Sequence, residues 1–122
     1  MTFRKIHFSG TEPIQKHGIT LTEFGEDILA GNASIVTTTR GHFEEFLDKE
    51  STYTYLIVEG KGVFFLDDQS VDVCPGDMLV VDPKTRIHYF GNLKMVLIVS
   101  PTWKEGNEVH IRDIQLSESP YQ

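Results

Sequence analysis

The residues with the most useful chemistry fall in two stretches of this 122-residue chain, residues 41–62 and 75–92. The first stretch contains Lys49 and Tyr53, and the second contains His88. An ammonium group binds carboxylates and phosphates, an aromatic ring stacks on the face of a sugar, and an imidazole accepts or donates a proton. Together these groups favour a small anionic or hydroxyl-rich ligand, provided that the fold brings them to one cavity.

The elements that must position these residues are short strands. Apolar and β-branched runs alternate with Gly, Pro and Asp turn signals about every 8 to 12 residues, and no segment shows sustained helical periodicity. Residues 53–58 and 63–66 read as two strands joined by a turn at Gly60, and Asp67-Asp68 predicts a β-hairpin with residues 71–73. We therefore predict an all-β chain of about nine or ten short strands, in a sandwich or barrel.

Composition and charge exclude several classes of partner. The net charge is −7 and no basic run is longer than Arg4-Lys5, which argues against a nucleic-acid or anionic-membrane surface. The longest apolar run, residues 95–99, is too short to cross a bilayer. Because the one cysteine, Cys74, cannot form an internal disulfide and no signal peptide is evident, we expect a cytoplasmic location.

Residues 41–60 resemble the first sequence motif of the cupin superfamily, a group of small jelly-roll β-barrels. That motif reads Gly, five residues, His-x-His, three or four residues, Glu, six residues, Gly. The spacing fits without a gap: Gly41 and Gly60 stand at the ends, Leu47 and Lys49 at the two histidine positions, and Tyr53 at the glutamate position. The glycines and the spacing match the motif, whereas the residues between them do not.

Residues 76–92 resemble the second cupin motif less closely. Counting from Pro83 places His88 and Asn92 on the motif's histidine and asparagine, whereas counting from Gly76 places Ile87 on the histidine position. An extra residue in a β-bulge would account for the difference. The sequence therefore leaves open whether Ile87 or His88 faces the interior.

The resemblance implies a fold and an assembly. The fold is a cupin-type double-stranded β-helix, or jelly-roll barrel. Single cupin domains commonly pair by strand exchange, and an exposed sheet edge gives a physical reason to expect a homodimer, through residues 6–8 or 19–24. We expect one domain over residues 1–122, with N-terminal strands in residues 1–32, the barrel core at about residues 33–100 and a C-terminal return in residues 101–122.

The residues at the motif's metal-ligand positions do not suit a metal. In metal-binding cupins, histidines and a glutamate at these positions hold a divalent ion. Here Leu47 has no donor atom, Lys49 carries a positive charge, and Tyr53 keeps its proton near neutral pH because a phenol has a reference pKa of about 10. We therefore expect no metal and no other cofactor. A differently built site around His42 and the nearby acidic residues Glu44, Glu45 and Asp48 stays open, and a solvated loop edge is the simpler interpretation.

The same resemblance implies a metal-free site. Its register directs Lys49, Tyr53 and His88 to one cavity, and strand alternation puts Tyr55 and Ile57 on the face of Tyr53. The candidate ligand-binding residues are Lys49, Tyr55, Ile57 and Leu47. By analogy with metal-free sugar epimerases and ketoisomerases of the superfamily, His88 is the candidate general base and Tyr53 the candidate general acid. Simpler roles exist for each: a lysine stem on the surface, tyrosines in the core, and a histidine facing water.

Three functions remain after this comparison. The first is a metal-independent cupin that binds a sugar-like or keto-acid ligand, with isomerase or epimerase as the enzymatic form. The second is a non-catalytic ligand-sensing or interaction protein with the same barrel. The third, a metal-dependent dioxygenase or decarboxylase, is disfavoured by the missing ligands. Whether the chain is an enzyme, and on which substrate, is left undecided by the sequence.

Overall fold

A computed structural model describes residues 5–7, 12–24 and 30–121 of the chain. In these ranges none of the helices is long or apolar enough to traverse a lipid bilayer. The described residues form nine strands and one short 3₁₀ helix, Leu116–Glu118. The strands are β1 (Ile14–Lys16), β2 (Ile19–Glu23), β3 (Asn32–Thr38), β4 (Gly41–Asp48), β5 (Thr52–Leu66), β6 (Gln69–Val73), β7 (Met78–Val81), β8 (Ile87–Ser100) and β9 (Glu108–Asp113).

All strand pairs are antiparallel, and β8 is at the centre of the sheet. The strand order is β1-β2-β3-β8-β4-β9, and β5 pairs with β6, β7 and β8. The second half of β8 pairs with β3 and its first half with β4, so that one strand belongs to both halves of the barrel. The all-β cupin barrel predicted from the sequence is confirmed.

The turn predicted at Gly60 is absent, because β5 continues where the turn was expected. Residues 59–62 do not reverse the chain: they continue β5, which pairs with β8 from Thr52 opposite Ser100 to Leu66 opposite Ile87. Residues 91–92 likewise continue β8. The glycines in these segments allow a kink without ending the pairing. The predicted hairpin at Asp67-Asp68 is confirmed, with Leu66 opposite Gln69.

The N-terminal predictions are covered only in part. The strand expected at residues 19–24 is β2. Of the short strand expected at residues 6–8, Ile6 and His7 are described and lie outside any strand, whereas Phe8 lies outside the described residues.

Two apolar clusters lie on opposite faces of the sheet. The inner cluster fills one end of the barrel and includes Val36, Phe64 and Met95, each with no exposed surface. The outer cluster lies between the sheet and the C-terminal segment, where Phe90 and Ile114 are buried. The inner cluster therefore closes the barrel at one end and supports the cavity above it.

Gly91 lies at a point of close approach between β5 and β8. Its φ is +138°, and a Cβ atom there would lie 2.5 Å from the carbonyl oxygen of Lys61 and 2.6 Å from the Cα of Gly62. We predict that Gly91→Ala lowers the free energy of unfolding by about 2–4 kcal/mol in chemical denaturation. Gly76→Ala is the control, because Gly76 also has a positive φ but has open space around it, and it should lose about 1 kcal/mol. Equal losses in both variants would contradict the steric explanation.

Candidate active site

The barrel encloses a cavity of about 560 Å³, a size typical of small-molecule sites. Its lining combines apolar and polar side chains. Most of them come from inward-facing positions of several strands, which alternate with outward-facing ones. The lining residues are Ile14, Lys16, Ile19, Leu21, Glu23, Asn32, Ser34, His42, Phe46, Tyr53, Tyr55, Tyr89, Leu97, Val99, Thr102, Trp103 and Glu108.

His42 on β4 is a neutral imidazole with a defined tautomer. Its Nδ1 lies 2.9 Å from the carbonyl oxygen of Glu44. A carbonyl only accepts hydrogen bonds, so Nδ1 carries the hydrogen and Nε2 has the free lone pair. Burial disfavours the imidazolium form and lowers the pKa of His42 to about 4. His42 is therefore available as a base at neutral pH.

Two tyrosine hydroxyls complete this wall of the cavity. The ring of Tyr89 stacks on His42 at a centroid distance of 5.5 Å, and the ring of Tyr55 lies 6.0 Å from that of Tyr89. Burial raises the pKa of both phenols, which therefore stay protonated. Neither hydroxyl has a hydrogen-bond partner within the described parts of the chain. Both are thus available to donate to a ligand.

Tyr53 differs from these two tyrosines because its hydroxyl is already engaged. It lies 3.2 Å from Oδ2 of Asp48 and in closer contact with Oε2 of Glu108. Asp48 is held in turn by the backbone N–H of Ser51 at 2.8 Å, and Lys16 Nζ lies 3.8 Å from Oε1 of Glu108. Burial, followed by the charge of Glu108, raises the pKa of Tyr53. This chain of contacts holds Glu108 against the cavity wall.

Of the six residues predicted as the site, the structure brings two into the cavity, Tyr53 and Tyr55. Ile57 belongs to the inner apolar cluster below it. Leu47 is half-buried and pairs with Val109 of β9, and Lys49 is exposed in the turn after β4. The expectation that Leu47 and Lys49 lie at the cavity is thereby corrected, because Leu47 alternates with the cavity-lining Phe46 and Lys49 follows the end of β4.

The sixth residue, His88, lies on the other face of β8. Its ring stacks on Phe65 at 4.9 Å, and its Nδ1 lies 3.5 Å from Oε2 of the buried Glu45. Burial lowers the pKa of His88. Ile87 packs in the inner cluster and Tyr89 lines the cavity, so strand alternation turns His88 away from both. The expected cavity of Lys49, Tyr53 and His88 is therefore corrected.

The residues at the cupin motif's ligand positions do not fit a metal ion. Leu47 lacks a donor, Lys49 is cationic and exposed, and His88 is outside the barrel. Within residues 5–7, 12–24 and 30–121, no three His, Cys, Asp or Glu side chains are placed to share an ion.

Tyr89 was not among the residues predicted from the sequence, and His42 was not predicted to have a catalytic role. Between His42 and Phe46 the pairing of β4 with β8 shifts, so the inward positions of β4 cannot be counted from one end of the strand to the other. Counting the second motif from Gly76 would have predicted Tyr89, because this count places Ile87 inward and alternation then places Tyr89 inward too.

Comparison with known proteins agrees with this architecture. No protein-family model and no curated protein matches the chain, whereas many solved structures do. Fold and cavity define a jelly-roll barrel, and the chain belongs to the cupin superfamily. KdgF from Halomonas, at 15% identity and a TM-score of 0.69, covers 85% of this chain and 97% of its own, and shares the fold.

Within the superfamily, the chain is similar to Pac13, described as "a unique nucleoside dehydratase". The two are 44% identical with a TM-score of 0.92, over 98% of this chain and 100% of Pac13. Three structures of variants of the Streptomyces protein, H42Q, Y55F and Y89F, contain uridine and are 43% or 44% identical to this chain. This chain has His42, Tyr55 and Tyr89 at those same numbers.

The lowered pKa of His42 predicts a pH dependence of stability. Between pH 6.5 and about 4 the unfolded chain binds a proton at His42 and the folded chain does not. The stabilisation is therefore complete above pH 6.5 and is lost as the pH falls, by at most ~1.4 kcal/mol per pH unit. In His42→Gln, the free energy of unfolding should fall less between pH 6.5 and 4.5 than in the wild-type protein. The contribution of His88 to this fall should remain. Equal slopes in the wild-type protein and in His42→Gln would contradict the assignment.

Proposed function

We propose that the protein is a nucleoside dehydratase that binds a uridine-like nucleoside in the barrel and removes water from its sugar. The observation that carries this proposal is the meeting of His42, Tyr55 and Tyr89 on one wall of the cavity. The likeness to Pac13 supports it, since the same three residue types are the ones replaced in the uridine-bound variants of that protein.

The elimination needs a base, a stabilised negative charge and an acid for the leaving hydroxyl. A C–H bond of ribose is acidic enough only if a carbonyl adjoins it, so the substrate is a nucleoside oxidised on its sugar. Nε2 of His42 removes this proton, and the electron pair moves onto the carbonyl oxygen. When the pair returns, the C=C bond forms and the C–O bond on the next carbon breaks. The imidazolium gives its proton to the departing hydroxyl, which leaves as water.

Burial suits each residue to its step. The low pKa of His42 keeps the imidazole unprotonated before the reaction, and it makes the imidazolium a ready proton donor afterwards. The raised pKa values of Tyr55 and Tyr89 keep both phenols as hydrogen-bond donors, directed at the oxygen on which charge develops. At the mouth, Lys16 and Glu108 form a pair that can bind sugar hydroxyls.

An isomerase or epimerase would share the first of these steps. It would return the proton to carbon and keep the hydroxyl, and the likeness to Pac13 favours elimination instead. A non-catalytic nucleoside-binding protein would have no need of a neutral imidazole beside two free phenols. The homodimer and the cytoplasmic location stay predictions, and sedimentation of the purified chain tests the first.

His42→Gln tests the assigned base. With uridine oxidised on its sugar as substrate, we expect kcat to fall about 10²–10⁴-fold, because glutamine cannot accept the proton. Loss of one water is followed by mass spectrometry. The Kd of uridine, measured by calorimetry, should change less than about threefold, since the amide fills the space of the ring. A variant that dehydrates at the wild-type rate would refute the role of His42.

Tyr55→Phe and Tyr89→Phe test the two donors. Each variant removes one hydroxyl and should lower kcat about 10–10³-fold with a smaller change in KM, because the lost hydrogen bond is strongest in the transition state. Tyr121→Phe is the matched control at an exposed position and should leave kcat unchanged. If kcat/KM fell only because KM rose while kcat stayed unchanged, these hydroxyls would contribute to substrate binding and not to transition-state stabilisation.

A further inference from the structure

Two buried polar side chains of β3 line the cavity away from His42. Asn32 and Ser34 are 9% and 5% exposed and occupy successive inward positions. In the sheet they lie opposite Val99 and Leu97 of β8. The far side of β8 pairs with β5, which carries Tyr55, so that a whole strand separates this polar pair from the tyrosine wall.

The amide of Asn32 has a fixed orientation. Its Oδ1 accepts the backbone N–H of Trp103. Since a backbone N–H only donates, the oxygen must face Trp103, and Nδ2 is the group available to the cavity. Neither Nδ2 of Asn32 nor the hydroxyl of Ser34 has a partner among the residues that the structure describes. Both residues line the cavity, and neither of these two atoms is sealed off from it, so a ligand in the cavity can supply the missing partners.

The position of this pair selects one part of the proposed ligand. If the sugar lies against His42, Tyr55 and Tyr89, the base of the same molecule extends toward another wall. Leu97 and Val99 offer an apolar surface for a flat ring there. The base and the polar pair of β3 therefore meet at the same end of the cavity.

We propose that Asn32 and Ser34 recognise the pyrimidine base and select uracil over cytosine. This inference rests on the proposed function and names the determinant of its substrate. Nδ2 of Asn32 donates to the carbonyl at position 4 of uracil, and the hydroxyl of Ser34 accepts the neighbouring ring N–H. Cytosine has an amino group in place of that carbonyl, which would face the fixed donor of Asn32. Asn32 cannot turn its oxygen toward the base without losing the bond to Trp103.

Asn32→Asp tests this assignment with almost no change in shape. The aspartate keeps an acceptor for the N–H of Trp103 and replaces the donor facing the base by an oxygen. By titration calorimetry we expect the wild-type protein to bind uridine at least about tenfold more tightly than cytidine. In the variant the Kd of uridine should rise about tenfold or more, and the preference should shrink or reverse.

Controls separate this inference from the proposed function. Asn92→Asp makes the same chemical change at an exposed asparagine and should keep the wild-type preference, and thermal unfolding verifies that both variants fold. His42→Gln should lose dehydration and keep the preference for uridine. If the wild-type protein binds uridine and Asn32→Asp leaves both affinities unchanged, the base-recognition role is overturned while the dehydratase proposal stands. If the wild-type protein does not bind uridine, the proposed function fails as well.

Discussion

The pairing of β5 with β8 along nearly their full lengths is the constraint on which the rest of the structure depends. Because both strands continue past their glycines, β5 stays paired with β8 on both sides of a register shift between Ile57 and Glu59, and this pairing connects the two halves of the barrel. Two cross-strand pairs of this ladder position the cavity lining: Tyr55 lies opposite Leu97, and Tyr89 lies opposite the core residue Phe64. The strand pairing thereby holds polar side chains of separate strands at fixed distances from one another in the cavity.

Burial has opposite effects on the two kinds of proton-bearing group in this cavity. It lowers the pKa of His42, whose charged form is the protonated one, and raises the pKa of Tyr55 and Tyr89, whose charged form is the deprotonated one. One physical cause therefore yields both a neutral base and two persistent donors. Burial is the largest cause of the lowered pKa of His42. The charge of Glu44 raises this pKa and that of Lys16 lowers it, and both effects are smaller than that of burial.

The fold was predictable from the sequence and the site was predictable only in part. Strand-forming runs and spaced glycines are local signals, and they sufficed for the all-β barrel. Whether a strand residue points inward or outward is predicted by alternation from a residue whose orientation is known. Each bulge or register shift reverses that prediction for the residues beyond it. The register shift in β4 obscured the facing of His42, and counting from Pro83 instead of Gly76 selects His88 in place of Ile87 and Tyr89. Tyr53 and Tyr55 were found because no irregularity separates them.

The two faces of β8 have different roles, and this limits how the ligand preference of such a protein can change in evolution. Tyr89 lines the cavity, whereas His88 and Phe90 pack on the opposite side together with Glu45 and the C-terminal return. Gain or loss of one codon within this strand would exchange the two sets of residues and disrupt both the cavity lining and the packing of the opposite face. Point substitutions, in contrast, alter one side at a time. New ligand preferences are therefore reached by changing the identity of inward side chains at constant strand length.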